Sequence, residues 1–575
     1  MRLGSRASVI GGLTAAVLVA TTAAGTAMAS ARRAPLAGAQ SGGTLVYALP
    51  EQTNIPWYFP ITNDANASLY TGQLIDQLYA PLIYINNSYA IDYSASIAQN
   101  ITYNTQGTVF NVFMNPKWHW SNGAPITAAD AVWSFNVLMA TESSKAPSPW
   151  PASALGSGGL PANLKSVKQD STYEFTITLK SPANQEWFEY NGIAGIPIMP
   201  MAVWNKYPNN MTEEITYLGK EATNPKFDSV VSGPFELQTA IQNQEWVLVP
   251  NPNYDGHKSV LSKLILEYEA SDSAEFAALK TGEVQIGYLP AADWAARAEL
   301  PDRLIKEQSF SYNFTWGNLN KGAENNVDQI FNNLYVRQAM VMGMNNSAIL
   351  NVIYHGNGEP QYSPIPSVPK TVFLDPALQK PLYPYDPAKG KALLEQNGWH
   401  EVNGVMTKGN QQMKFSLMYP SGDIATQEEQ ELLQAGWASE GIQVTLDPVP
   451  FATLVGDLSD PSKWEMVSGI GIIYGGTYPS GETLFYKLQG LDADLGYNDP
   501  KENALVQATT SPAPSPAVNT QRFFAYEYYT AQQVPALWMP AIDTLAEIAP
   551  NVGGYNAYSA NAVTGNFQAQ YWYVK

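Results

Sequence analysis

The stretch from Thr108 to Ala140 leaves little choice of local structure. Val109-Phe110-Asn111-Val112-Phe113-Met114 is dense in β-branched and aromatic residues and reads as a strand. Pro116 has no N–H to give to a ladder and ends it. Ser121-Asn122-Gly123 is a turn in which Gly123 can take positive φ without steric cost. Thr127 is placed to cap a following helix, with Asp130 at the reach-back position of a capping box, where Glu or Gln is more usual. Ala131, Phe135, Leu138 and Met139 then recur at helical spacing, so one face of that helix is buried. Each of these features is structural, and none is catalytic.

Composition sets the outer limits. A chain of 575 residues is too long for one core and suits two or three domains. With 45% hydrophobic residues it is no disordered chain, and with only 14% charged residues its surface relies on neutral polar groups. Thirty-one basic against fifty acidic residues give a net charge of −19, which argues against nucleic acid or an anionic membrane surface as partner. The absence of cysteine excludes thiol catalysis, disulfides, zinc–cysteine sites and cysteine-ligated iron–sulfur clusters.

The first residues read as an export address. Arg2 and Arg6 precede an apolar, alanine-rich run from Val9 to Ala24, and Ala27-Met28-Ala29 offers the small residues a signal peptidase needs. Residues 1–29 are therefore expected to be a cleaved signal peptide, and 30–43, rich in Ala, Gly and Ser, a flexible lead-in. No later stretch has the apolar length to span a bilayer.

Trp118-His119-Trp120-Ser121-Asn122-Gly123-Ala124-Pro125-Ile126-Thr127-Ala128-Ala129-Asp130 resembles a signature of the extracytoplasmic solute-binding proteins of family 5, the peptide type served by ABC transporters. Asn122 stands where that family usually has Asp, which keeps the turn chemistry and loses a charge. Further segments resemble the family in the right order: Thr44 to Leu49, Ser232-Gly233-Pro234-Phe235, Asn251-Pro252-Asn253-Tyr254, Tyr335-Val336-Arg337-Gln338-Ala339, and Tyr385-Asp386-Pro387. Gln285 and Asn345-Asn346 replace its usual charged residues. The resemblance runs from about Thr44 to the C-terminus. It implies an α/β, periplasmic-binding-protein-like fold of the cluster C type, with two lobes of mixed sheets and an extra inserted domain. The first lobe would take residues 44–79, 180–288 and 541–575, the insert 80–179, and the second lobe 289–540. Hinges would lie near Tyr288 and Pro540.

Signals for enzyme chemistry are weak. The four histidines, His119, His257, His355 and His400, form no i,i+4 pair and sit in no metal-binding motif. There is no P-loop and no G-x-S-x-G elbow, and Gly471 to Gly476 does not follow dinucleotide spacing. The positive signal is aromatic: 15 Trp, 19 Phe and 33 Tyr. Large cores account for most of these, but ligand pockets also favour aromatic walls with a few oriented amides. By the resemblance, the ligand-binding candidates are Trp57, Tyr58 and Phe59 in the loop after the first strand, then Trp316, Asn318 and Asn320 along a strand, and Phe451. Tyr474, Gly475, Gly476, Tyr478 and Glu482 complete the set, in the segment where relatives carry the acid that pairs with a bound peptide's amine. Gly475-Gly476-Thr477 occupies that place here, and Glu482 is the nearest acid.

The expected function is the extracytoplasmic solute-binding component of an ABC importer, not an enzyme, with no cofactor and no metal. It would be a monomer at the periplasmic or extracellular face of the membrane, without a lipid-modified cysteine. Its partners would be a small-molecule or peptide ligand and the permease subunits, with no nucleic acid. An oligopeptide-like ligand comes first, and the missing acid keeps an oligosaccharide or other uncharged solute close behind. A metal chelate, an exported glycoside hydrolase and a ligand-free scaffold are the other readings.

Overall fold

A computed structural model of the chain describes residues 42–143, 145–153, 156–227, 229–482, 484–485 and 495–575. The expected signal peptide and all but the end of the lead-in lie outside them. Three sheets carry the architecture. The largest has seven strands in the order Arg303–Glu307, Thr544–Ile548, Ile286–Tyr288, Thr44–Ala48, Lys263–Glu267, Glu245–Pro250, Phe235–Ile241. Thr44–Ala48 runs parallel to Lys263–Glu267, and Pro50 stops it two residues past its end. A second sheet of five strands runs Gln443–Val449, Lys414–Pro420, Met466–Ile473, Ser311–Gly317, Leu537–Met539. Its first two strands are parallel to each other. The two sheets define two lobes of mixed α/β structure.

The third sheet, Ala98–Tyr103, Val109–Met114, Glu174–Leu179 and Leu164–Ser171, is antiparallel and stands apart as an extra domain. Val109–Met114 buries every second residue, as the alternation requires. Beside it the capping box forms: the Thr127 N–H donates to Asp130 Oδ2 at 2.9 Å at the start of the helix Ala128–Thr141. Asp130 Oδ1 also accepts the Met201 N–H, which ties this helix to the chain returning to the first lobe. Asn122 Oδ1 accepts from the Ala124 N–H, so the turn keeps its geometry without the acid.

Other local signals map directly onto elements. Ser68 caps Leu69–Leu78, and Gly282, at φ +75°, ends Asp272–Thr281. That last helix lies on the large sheet through Leu279, in a small core with Val46, Val247 and Leu545.

The crossover expected near Tyr288 is displaced. After Ile286–Tyr288 the chain adds one more strand to the large sheet, Arg303–Glu307, antiparallel to Thr544–Ile548, and crosses only at 308–310. The reason is edge pairing: Thr544–Ile548, already bound on one side to Ile286–Tyr288, gains a partner on the other. The return crossing falls at 540–543, between Leu537–Met539 of one sheet and Thr544–Ile548 of the other.

Candidate functional site

Parallel strands in α/β sheets end in loops that face a common crevice, so residues just past their carboxyl ends are placed to meet a ligand. Three acids occupy such positions. Glu51 follows Thr44–Ala48, Asp272 follows Lys263–Glu267, and Asp423 follows Lys414–Pro420 in the second lobe. All three line a cavity of about 300 Å³ between the two large sheets. This is at the small end of ligand pockets. Tyr70, Tyr288 and Phe314 add aromatic surface, and Ser311, Asn313 and Asn357 add neutral polar groups.

The electrostatics of this cavity are one-sided. Glu275, Glu307, Glu429 and Asp543 join the three acids in its wall, and no Lys, Arg or His among the described residues does. Removal from water raises Glu51 to about 7, with Asp272 beside it adding to the rise. Asp272 is raised to about 6 by the same loss of water and by Asp423. Glu275, whose Oε1 accepts the Tyr288 N–H, is held well above the usual carboxyl range by burial. Burial also brings Glu429 to about 7, against the opposing effect of a 3.1 Å bond from the Tyr354 hydroxyl.

The residues expected from sequence fall elsewhere for the most part. Trp57, Tyr58 and Phe59 are buried and line neither this cavity nor the second one described below. The Trp57 indole N–H donates to the carbonyls of Phe59 and Ile61, and its ring meets Trp150 edge-on at 5.9 Å. The loop is a hydrophobic plug. Trp316 is 1% exposed, packed 4.8 Å from Phe314, and Asn318 donates to the carbonyls of Pro461 and Trp464. The alternation expected through Asn320 fails because the pairing shifts between Phe314 and Trp316 and the strand ends at Gly317. The strand does line the cavity, through Ser311, Asn313 and Phe314 at its other end. Phe451 opens the helix Phe451–Leu458 and reaches neither cavity.

Gly475 and Gly476, at φ +61° and +86°, line a second cavity of about 220 Å³ with Asp76, Glu142 and Tyr190. Tyr474 and Tyr478 are buried beside it: the Tyr474 hydroxyl donates to the Pro364 carbonyl, and the Tyr478 hydroxyl accepts from Asn519 Nδ2. Glu482 lines neither cavity. It accepts the Trp187 indole N–H at 3.0 Å, and burial raises it to about 8. Sequence reasoning missed Glu51, Asp272 and Asp423. The available signal was their position immediately after strands.

Comparison with known proteins agrees with this fold. A family model described as bacterial extracellular solute-binding proteins, family 5 Middle, matches residues 92–492. The oligopeptide-binding protein AppA of Bacillus subtilis (strain 168) is 22% identical over 457 residues, covering 78% of this chain and 77% of that protein. The solved structure of AppA from Bacillus subtilis in complex with a nonapeptide superposes with a TM-score of 0.74 at 19% identity, covering 94% of this chain and 100% of that one. NikA from Brucella suis, solved in complex with Fe(III)-EDTA, also reaches 0.74, at 15% identity, over 92% of this chain and 100% of that one.

Proposed function

Because this chain belongs to the bacterial extracellular solute-binding proteins of family 5, we propose that it captures a peptide-type solute between its two lobes and delivers it to the permease of an ABC importer. The observation that carries this reading is the cavity between the two sheets, whose wall is shared by residues of both lobes, Glu51 and Asp272 on one side and Asp423 and Phe314 on the other. A ligand held by both walls favours the closed arrangement by its differential affinity for it, and a closed form is what a permease can distinguish from an empty one. The protein acts as an exported monomer. Residues 1–29 are removed on export, and no cysteine is present to carry a lipid. It performs no reaction on its solute and uses no cofactor.

The test is a thermal-shift screen of the mature chain against short peptides, neutral oligosaccharides and nickel or iron chelates. Ligand at a hundred times its dissociation constant stabilises the native state by about 2.7 kcal/mol, a readily measured rise in Tm. Peptides should give the rise. A rise with oligosaccharides or chelates alone would overturn the peptide assignment and leave the solute-binding role.

One observation favours a second reading. Carboxyls of both lobes face a single cavity, and paired carboxyls across a cleft are the machinery of a glycoside hydrolase. Prolonged incubation with oligosaccharides should leave them intact; release of reducing ends, abolished in Glu51→Gln, would establish the enzyme.

A further inference from the structure

The acids of the interlobe cavity come from both lobes. On the first lobe, Glu51 and Asp272 are joined through the backbone, the Asp272 N–H donating to Glu51 Oε2 at 2.9 Å. On the second lobe, Asp423 caps the helix Ile424–Ser439, accepting from the N–H groups of Ala425 and Thr426, with Glu429 nearly two turns further on. The repulsion of Asp423 reaches across the cavity to both Glu51 and Asp272. The other carboxyls acting on them add to this repulsion: Asp293 on Asp272, Glu51, Glu269 and Asp272 on Glu275, and Asp423 on Glu429, where the Tyr354 hydroxyl opposes it. Among the described residues a base acts at the edge of the wall alone, Lys306 on Asp543, beside Glu359. Like charges on opposing lobes oppose closure unless something positive lies between them.

A second observation concerns acceptors with nothing to accept. Glu51, Gln73 and Asn357 are 4%, 4% and 2% exposed and line this cavity. Glu51 Oε1, Gln73 Oε1 and Asn357 Oδ1 are each buried without a hydrogen-bond donor. The amide orientations are fixed, because Gln73 Nε2 donates to the Gly565 carbonyl and Asn357 Nδ2 to the Tyr354 carbonyl, both at 2.8 Å. A buried acceptor without a donor is costly, and three around one space call for a ligand group that only donates. Ammonium and guanidinium groups have several donors and no acceptor. A bare metal ion fits less well: among the described residues no cluster of three or more His, Asp or Glu could hold one.

We propose that the solute carries a cationic nitrogen group, seated between Glu51 and Asp272 of one lobe and Asp423 of the other, and that this charge draws the lobes together. The peptide that bears it rests on the function proposed above; the cation does not. The anchor is thus shifted from the segment 474–482 to the carboxyl ends of the parallel strands. Glu51, raised to about 7, is partly protonated near neutral pH and gives up that proton when the cation seats, whereas Asp272, at about 6, is already largely ionised there.

Titration calorimetry of the intact mature chain with Ala-Lys-Ala, with N-acetyl-Ala-Gln-Ala and with spermidine separates the possibilities. Ala-Lys-Ala should bind at least about tenfold more tightly than the acetylated peptide, which keeps the carboxylate and has no cationic group, the scale of losing one partner of a desolvated charge pair. At pH 6.5, runs in buffers of different ionisation enthalpy should show proton release with the cationic ligand alone. The preference should collapse in Glu51→Gln and also in Asp423→Asn, which keeps a capping side chain and tests the opposite lobe if the first variant does not fold. Equal affinity for both peptides, a preference that survives both variants, or no binding by either cationic probe would overturn the proposal. Spermidine bound with the same dependence on Glu51, and no peptide bound, would uphold the cation and overturn the peptide.

Discussion

Glu482 and Glu51 are both carboxyls removed from water, and they differ in what meets their oxygens. Glu482 lies against the Trp187 indole N–H and the Asn191 side chain, and it lines neither of the two cavities. Glu51 accepts one backbone N–H through Oε2 and leaves Oε1 unmatched on a cavity wall. The first has its hydrogen bonds supplied from within the fold, as a structural group does. The second has acceptor capacity that the fold never uses, which is what a ligand would find. The same division separates the aromatic plug at Trp57 from the aromatic wall at Phe314.

The contrast would break most visibly on the structural side. Trp57→Ala should cost about 3–5 kcal/mol of stability, the range for truncating a buried Trp, measured by denaturant unfolding. Ligand affinity in the protein that remains folded should not change; a large loss of affinity would return this loop to the cleft. Glu482→Ala should cost about 1–3 kcal/mol, since it leaves the Trp187 N–H without its acceptor. It too should bind ligand normally, and a drop in peptide affinity would make Glu482 the anchor after all.

The pH dependence sharpens the comparison further. Burial raises Glu440 to about 9, Glu482 and Glu527 to about 8, and Glu51 to about 7, from a usual value of 4.5. The folded chain therefore keeps protons that the unfolded chain gives up. The stability of these groups is complete below about pH 4.5 and is lost as pH rises through 7 to 9. The ligand-free Tm should be higher at pH 5 than at pH 8, and the reverse order would overturn this account. The smallest effect belongs to Glu51→Gln without ligand. Removing one of three facing carboxylates should raise stability at pH 8 by about 1 kcal/mol or less, and leave it unchanged at pH 5, where Glu51 is already neutral.

Elements governed by neighbouring residues were legible in the sequence. The strand Val109–Met114, the turn at Gly123 and the capping box of Thr127 and Asp130 each depend on atoms a few residues apart. The added strand Arg303–Glu307 was not, because its partner in the large sheet among the described residues is Thr544–Ile548, far along the chain. The site was legible in part. Trp316, Asn318 and Asn320 were expected to line the cleft from one strand; the pairing shifts between Phe314 and Trp316, Trp316 is buried, and the cavity is lined by Ser311, Asn313 and Phe314 at the strand's other end. Gly475 and Gly476 line the second cavity, and Glu482, the acid expected with them, does not. Glu51, Asp272 and Asp423 carry no local mark of function. Only the parallel pairing of strands brings them to one place.

The two crossings between the lobes lie side by side. Arg303–Glu307 pairs with Thr544–Ile548 in one sheet, and Ser311–Gly317 pairs with Leu537–Met539 in the other, both antiparallel. The connection is therefore one double-stranded ribbon bent in the middle, and Glu307 and Ser311 put the cavity wall at that bend. A ribbon flexes easily in one direction and resists the others. If the lobes swing, the solute acts at the fulcrum of a lever: a displacement too small to notice at the cavity becomes a change in outline at the far rims, where another protein can feel it.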